Sequence, residues 1–135
     1  MDSPARKMPV LYIAGAFRSK SVPYSYWEQT LNIRKAEEVA LKVWQAGAVA
    51  MCPHLNTINF QGAAPDDVWL DGDLELLRRC DAVVMVPGWK TSNGACAERN
   101  EAIIHNIPVY YAEQWEEIST FLDGYLDMLD ERIPF

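Results

Sequence analysis

Four short apolar runs, each followed by a stretch of helical character, constrain this chain more than any other feature. The runs are "VLYIAGAF" (Val10–Phe17), "AVAMCP" (Ala48–Pro53), "DAVVMVPG" (Asp81–Gly88) and "IPVYYA" (Ile107–Ala112). All are too short for buried helices and contain β-branched or aromatic residues, and the first three end near Gly or Pro, so they read as buried strands. The first helical stretch is Tyr26–Ala46, with Leu31, Val39, Val43 and Ala46 among its apolar positions and Gly47 as its stop. A second starts at a cap, Asp66 or Asp67, and runs to about Arg79. Its apolar positions are Val68, Leu70, Leu74, Leu76 and Leu77. A third, capped by Ser92 or Asn93, runs to about Asn106. A fourth, Trp115–Leu129, turns Ile118, Phe121, Leu122, Tyr125 and Leu129 inward. Strands alternating with helices predict an α/β fold, a parallel sheet covered on both faces. Its crossovers should be right-handed.

With 135 residues, half of them hydrophobic, the chain has the size of one domain and the means to bury a core. The net charge of -7, from 12 basic and 19 acidic residues, argues against polymeric nucleic acid and anionic membranes as partners. Much of the acid lies between Glu113 and Glu131, where no Lys or Arg intervenes, so a local anion site elsewhere remains compatible with this charge. No apolar stretch approaches the ~20 residues of a membrane span, and "MDSPARKMP" lacks the pattern of a signal peptide. Cys52, Cys80 and Cys96 show no C-x-x-C spacing and read as reduced thiols of a cytoplasmic protein. His54 and His105 are the only histidines. No metal cluster or cofactor is expected.

In an open α/β sheet, ligands bind beyond the carboxyl ends of the strands. "GAFRSKS", "PHLNT", "PGWKTSNG" and the loop after Ala112 occupy that edge. The first carries Gly15, Arg18 and Ser19 but neither G-x-G-x-x-G nor a Walker motif. Arg18 among hydroxyls can hold one phosphate; the plainer reading is a solvated arginine. Ser92, Asn93 and Gly94 open a helix, where free N–H groups attract anions; simple capping explains the same residues. His54 opens a dozen-residue segment, "HLNTINFQGAAP", long enough to be functional if it lacks structure. His54 can contact a ligand or cap backbone. Trp69, Trp89 and Tyr12 can stack on a base or fill core and rim.

Glu98 sits two turns inside the helix after Ser92, with Ala95, Ala97 and Ala102 near it. A solvated helix glutamate is the plainer reading. Paired carboxylates are, however, the usual equipment for cleaving a glycosidic bond. A second carboxylate is available from a run of acids in the preceding helix, and periodicity does not choose between Asp71 and Asp73.

Taken together, "LYIAGAFRS", "AGAVAMCPHLNT", "WLDGDLELLRRCDAVVMVPGW" and "SNGACAERNEAIIHNIPVYY" resemble the nucleoside 2-deoxyribosyltransferase superfamily over roughly residues 11–111. The resemblance implies a single-domain flavodoxin/Rossmann-like three-layer sandwich over residues 1–135, with a four- or five-stranded parallel sheet. It equates Glu98 in "GACAE" with the superfamily's nucleophile and Asp73 in "DLELLRRCD" with its second carboxylate. It makes Tyr12 the residue that orients Glu98, and Asp81 a structural residue. Gly15 and Arg18 match a phosphate-binding G-x-x-R pattern. Ser92 stands where members acting on free nucleosides carry Asp, and so favours a 5'-monophosphate.

The implied activity is an N-glycosidase that cleaves the base–sugar bond of a (deoxy)nucleoside 5'-monophosphate through a glutamyl glycosyl-enzyme intermediate. Glu98, Asp73 and Tyr12 are the catalytic set. Gly15, Arg18, Ser19, His54, Trp89, Ser92, Asn93 and Gly94 bind substrate, with Trp89 as an aromatic lid. Base exchange on free deoxynucleosides and a non-catalytic nucleotide-binding module are the alternatives. The resemblance also implies a homo-oligomer, a dimer or higher. The transferases' C-terminal asparagine has no counterpart in "DERIPF".

Overall fold

The computed structural model describes the backbone of residues 8–132 and the side chains of residues 8–125. Four strands form one parallel sheet: β1 (Val10–Ala14), β2 (Val49–Met51), β3 (Ala82–Met85) and β4 (Val109–Tyr111). The helices are α1 (Tyr26–Gln45), α2 (Pro53–Asn56), α3 (Asp66–Arg78), α4 (Asn93–Ile104) and α5 (Trp115–Arg132). This is the expected α/β, Rossmann-like three-layer architecture. The strand order is β2-β1-β3-β4. In register, Tyr12 lies beside Met51 on one side and Val83 on the other.

Each strand is shorter than its apolar run. β1 stops at Ala14 because the chain then bends into the loop that carries Arg18. At that bend, a Cβ on Gly15 would come within 2.7 Å of the Val86 Cβ. The close approach of two strand ends therefore demands glycine.

β1 is buried on both faces. Leu11 and Ile13 join Ala36, Val39, Val43, Val84, Ile118 and Leu122 in a core beneath α1 and α5. Tyr12 and Ala14 face the other way, into a smaller cluster with Val83, Met85, Leu77, Ala95 and Ala102 beneath α3 and α4. The two-residue period of a strand makes this division. Asp81, just before β3, accepts a hydrogen bond from the Val10 amide at 2.8 Å and pins the start of β1.

Three local expectations are corrected. The segment after β2 is not a structureless loop: Pro53 opens the single turn α2, and a second tight turn covers Ile58–Phe60. Asp66 does not cap α3. It is that helix's first residue, after Pro65, and its carboxylate is engaged by Arg18 instead. Val68 and Leu70 in α3, and Leu31 in α1, are exposed rather than core positions. Leu129 and the C-terminal residues of "DERIPF" lie outside the described side chains.

Candidate active site

A cavity of about 580 Å³ opens at the carboxyl ends of β1 and β3. The chain leaves β1 toward β2 on one side while β3 lies on the other, which is the switch point where open α/β sheets bind ligands. One wall is the β1–α1 loop and another is α2. The remaining walls are helical stripes: Asp66, Trp69, Leu70, Asp73 and Leu74 from α3, and Gly94, Ala97 and Glu98 from α4. Residues three and four apart share a helix face, so each helix turns one face to the space.

Glu98 is held from below. The Tyr12 hydroxyl, buried in the middle of the sheet, donates a hydrogen bond to Glu98 Oε2. Burial pushes the Glu98 carboxyl up to about 8; the Tyr12 bond pulls it back and the Asp73 charge adds to the rise. Burial also pushes Asp73 up to about 6. The Tyr12 phenol is driven far above its ordinary range by burial and by the two carboxylates, so it stays a donor. Two carboxyl groups thus face one cavity with their protons held into the neutral range. Arg78 of α3 bonds Glu101 of α4 at 2.6 Å and ties together the two helices that carry them.

Arg18 reaches the cavity from the first loop and pairs with Asp66, the first residue of α3. The Asn32 carboxamide donates to the Phe17 and Arg18 carbonyls, at 3.2 and 3.4 Å, and fixes the backbone under that arginine. Ser92 Oγ accepts from the Ala95 amide at 3.1 Å. The oxygen is used as the cap, and the hydroxyl hydrogen is left for an acceptor. Asn93 and Gly94 also line the space. His54 is 5% exposed, and its Nε2–H donates to the Ala16 carbonyl at 2.8 Å. Burial lowers its pKa, which keeps the ring neutral. Its Nδ1 has no partner, and neither does the buried Trp69 Nε1.

Two of the expected substrate contacts fall elsewhere. Ser19 does not line the cavity: its Oγ donates to Glu28 at 3.1 Å and accepts from the Ser21 and Ser25 amides, binding the loop to the start of α1. Trp89 is also absent from the lining. Its ring packs on Tyr111 at 5.8 Å between centroids, with the Arg99 guanidinium 5.2 Å away. The indole therefore belongs to the α4 and β4 side rather than to a lid. The aromatic walls of the cavity are Trp69, itself against Phe60 at 5.9 Å, and Phe17.

Asp66 and Trp69 are cavity residues that sequence reasoning leaves out of the site, and Asn32, on a helix that shares in the family resemblance, is given no role by it. A signal for the first two was present. Asp66, Trp69 or Leu70, and Asp73 recur at helical spacing; read one by one as cap, stacking or core residue and carboxylate, they form one cavity wall.

Among the described residues, no three His, Cys, Asp or Glu side chains converge as metal ligands. The three cysteines are free, and burial raises the Cys52 and Cys80 thiols to about 11. Cys96 donates weakly to the Trp89 and Lys90 carbonyls. No helix among the described residues is long and apolar enough to cross a membrane.

A family model described as a domain of unknown function, DUF4406, matches residues 9–111. This chain belongs to the DUF4406 family. The match spans every strand of the sheet and all the cavity residues named above. No curated protein sequence matches the DUF4406 chain. Among solved structures, it is similar to a 2-deoxyribosyltransferase from Bacillus psychrosaccharolyticus, with 20% identity and a TM-score of 0.55 over 76% of this chain and 70% of that one. At that identity the likeness is one of fold. The DUF4406 protein thus has the deoxyribosyltransferase-like fold that its sequence resembles.

Proposed function

We propose that this protein is an N-glycosidase acting on a (deoxy)nucleoside 5'-monophosphate. The observation that carries the reading is the Tyr12–Glu98 hydrogen bond at the floor of a cavity that Asp73 also lines. Tyr12 occupies one oxygen of Glu98 and leaves the other for C1' of the sugar. The Glu98 carboxylate forms a bond to C1' as the C1'–N bond breaks through an oxocarbenium-like transition state. The base departs with the bonding electrons and takes a proton from Asp73; the active form is the singly protonated pair with its proton on Asp73 and its charge on Glu98, a minor form because Glu98 holds a proton more tightly. Water then attacks C1', Glu98 leaves as a carboxylate, and Asp73 recovers the water proton.

Arg18, the Ser92 hydroxyl and the amides at the start of α4 hold the 5'-phosphate. Trp69, rather than Trp89, offers the base an aromatic wall. Gly15 has a packing duty against Val86 as well as a place in the lining. The whole of residues 1–135 serves as one domain, and the protein works as a homo-oligomer in the cytoplasm.

The test is a panel of ribo- and deoxyribonucleoside monophosphates and free nucleosides, with released base followed by chromatography. Base release from monophosphates, lost in Glu98→Ala, is the expected result. Turnover of nucleosides that requires an added free base supports base exchange instead. Binding without turnover across the panel would sink both enzymatic readings.

A further inference from the structure

Arg18 and Asp66 come from opposite lips of the cavity, 48 residues apart in sequence, and are ion-paired across its mouth. Both line the cavity. Their side chains are 52% and 54% exposed, so the pair is solvated and weak by nature. A phosphate monoester offers Arg18 a doubly charged partner that a guanidinium engages through two N–H groups. A released Asp66 is not stranded. It lies in the first turn of α3, where that helix's amides and dipole favour a carboxylate. Across the same mouth, Lys20 is the other cation of the lining.

We propose that Asp66 is a specificity-determining residue that competes with the substrate's phosphate for Arg18, so that phosphate binding exchanges one anion for another on the same guanidinium. This deepens the phosphate part of the functional reading above and rests on it. The exchange has two consequences. A free nucleoside leaves the Arg18–Asp66 pair closed and gains nothing from Arg18. A monophosphate must open the pair, so its net gain from Arg18 is less than an unpaired arginine would provide.

The test is calorimetric binding of matched deoxynucleoside 5'-monophosphates and deoxynucleosides, in a Glu98→Gln background so that turnover does not consume the ligand. Asp66→Asn should tighten monophosphate binding by about two- to fivefold, the size expected from opening an exposed pair, and leave nucleoside binding unchanged. Arg18→Gln should weaken the monophosphate alone. In Arg18→Gln, adding Asp66→Asn should have no further effect, because the two act through one contact. Weaker monophosphate binding in Asp66→Asn would show that Asp66 positions Arg18 rather than competes for it. An equal gain with and without Arg18 would reduce Asp66 to a general repulsive charge. Either result overturns the proposal, as does an affinity unchanged by Asp66→Asn. Absence of base release by the wild-type protein bears only on the glycosidase reading; absence of monophosphate binding in every variant would overturn both.

Discussion

Tyr12, on the central strand β1, donates its hydroxyl to Glu98 on α4, 86 residues away in sequence. The donor is rigid because the whole tyrosine is buried within the sheet. The acceptor comes from a helix face that opens on the cavity. The contact joins the most fixed part of the fold to the carboxylate proposed to attack the sugar.

Glu98→Gln keeps the shape of the side chain and removes its nucleophilicity. It should lower base release at least about a thousandfold while the circular dichroism spectrum stays that of the wild type. Asp73→Asn should lose less, about ten- to a thousandfold. Its loss should be smallest for substrates whose base leaves without protonation.

Tyr12→Phe deletes the donor and leaves the ring. Turnover should fall about ten- to a hundredfold. The tyrosine bond holds the Glu98 pKa down, so its removal should also move the alkaline limb of the kcat/KM profile upward. A uniform loss at every pH would argue that Tyr12 only fills space.

In the wild type, the carboxyl pair should give a bell-shaped kcat/KM profile with apparent limbs near 6 and 8, belonging to the pair jointly. The same shifts act on stability. Both folded-state values lie above the ordinary 3.8 of Asp73 and 4.5 of Glu98. Below pH 4 both groups are protonated whether or not the chain is folded. As pH rises the unfolded chain ionises first, so stability should fall from about pH 4 to about pH 8 and then level. Glu98→Gln should remove on the order of 4 kcal/mol of that fall. Urea denaturation at pH 5 and pH 8 measures it.

Ser92→Asp tests the phosphate reading. Aspartate caps a helix as well as serine does, so the fold should persist. Monophosphate turnover should drop far more than nucleoside turnover, because only the phosphate meets the new charge. Equal losses would remove Ser92 from the argument.

Gly15→Ala separates packing from binding. The new methyl would meet Val86, whose nearest atom lies 2.7 Å from the ideal Cβ. A stability loss of about 1–3 kcal/mol is expected. Adding Val86→Ala should recover part of it.

Strand and helix order was readable because β1 and β3 are buried on both faces and therefore appear as unbroken apolar runs. Their ends were less readable: the Gly15 bend is set by Val86, a residue 71 positions away whose approach has no local signature. The placement of Glu98 on the cavity followed from the helix that Ser92 caps. The choice of Asp73 over Asp71 needed the family resemblance. Trp89 illustrates the opposite case. Its position in the loop after β3 suggested a lid, but Tyr111 and Arg99, distant or unremarkable in sequence, hold it aside. Asp66 looked like a cap because local chemistry allows it. Only the fold brings Arg18 to it.

The two faces of β1 lead into separate cores, with Leu11 and Ile13 in the larger and Tyr12 and Ala14 in the smaller. The larger core, under α1 and α5, contains neither of the proposed catalytic carboxylates nor Tyr12. Engineering and natural drift are therefore free to rework that half for thermal resistance, through residues such as Val39, Val43 and Leu122, with little consequence for chemistry. The half beneath α3 and α4 has no such latitude, because every side chain repacked there shifts the floor on which Glu98 rests.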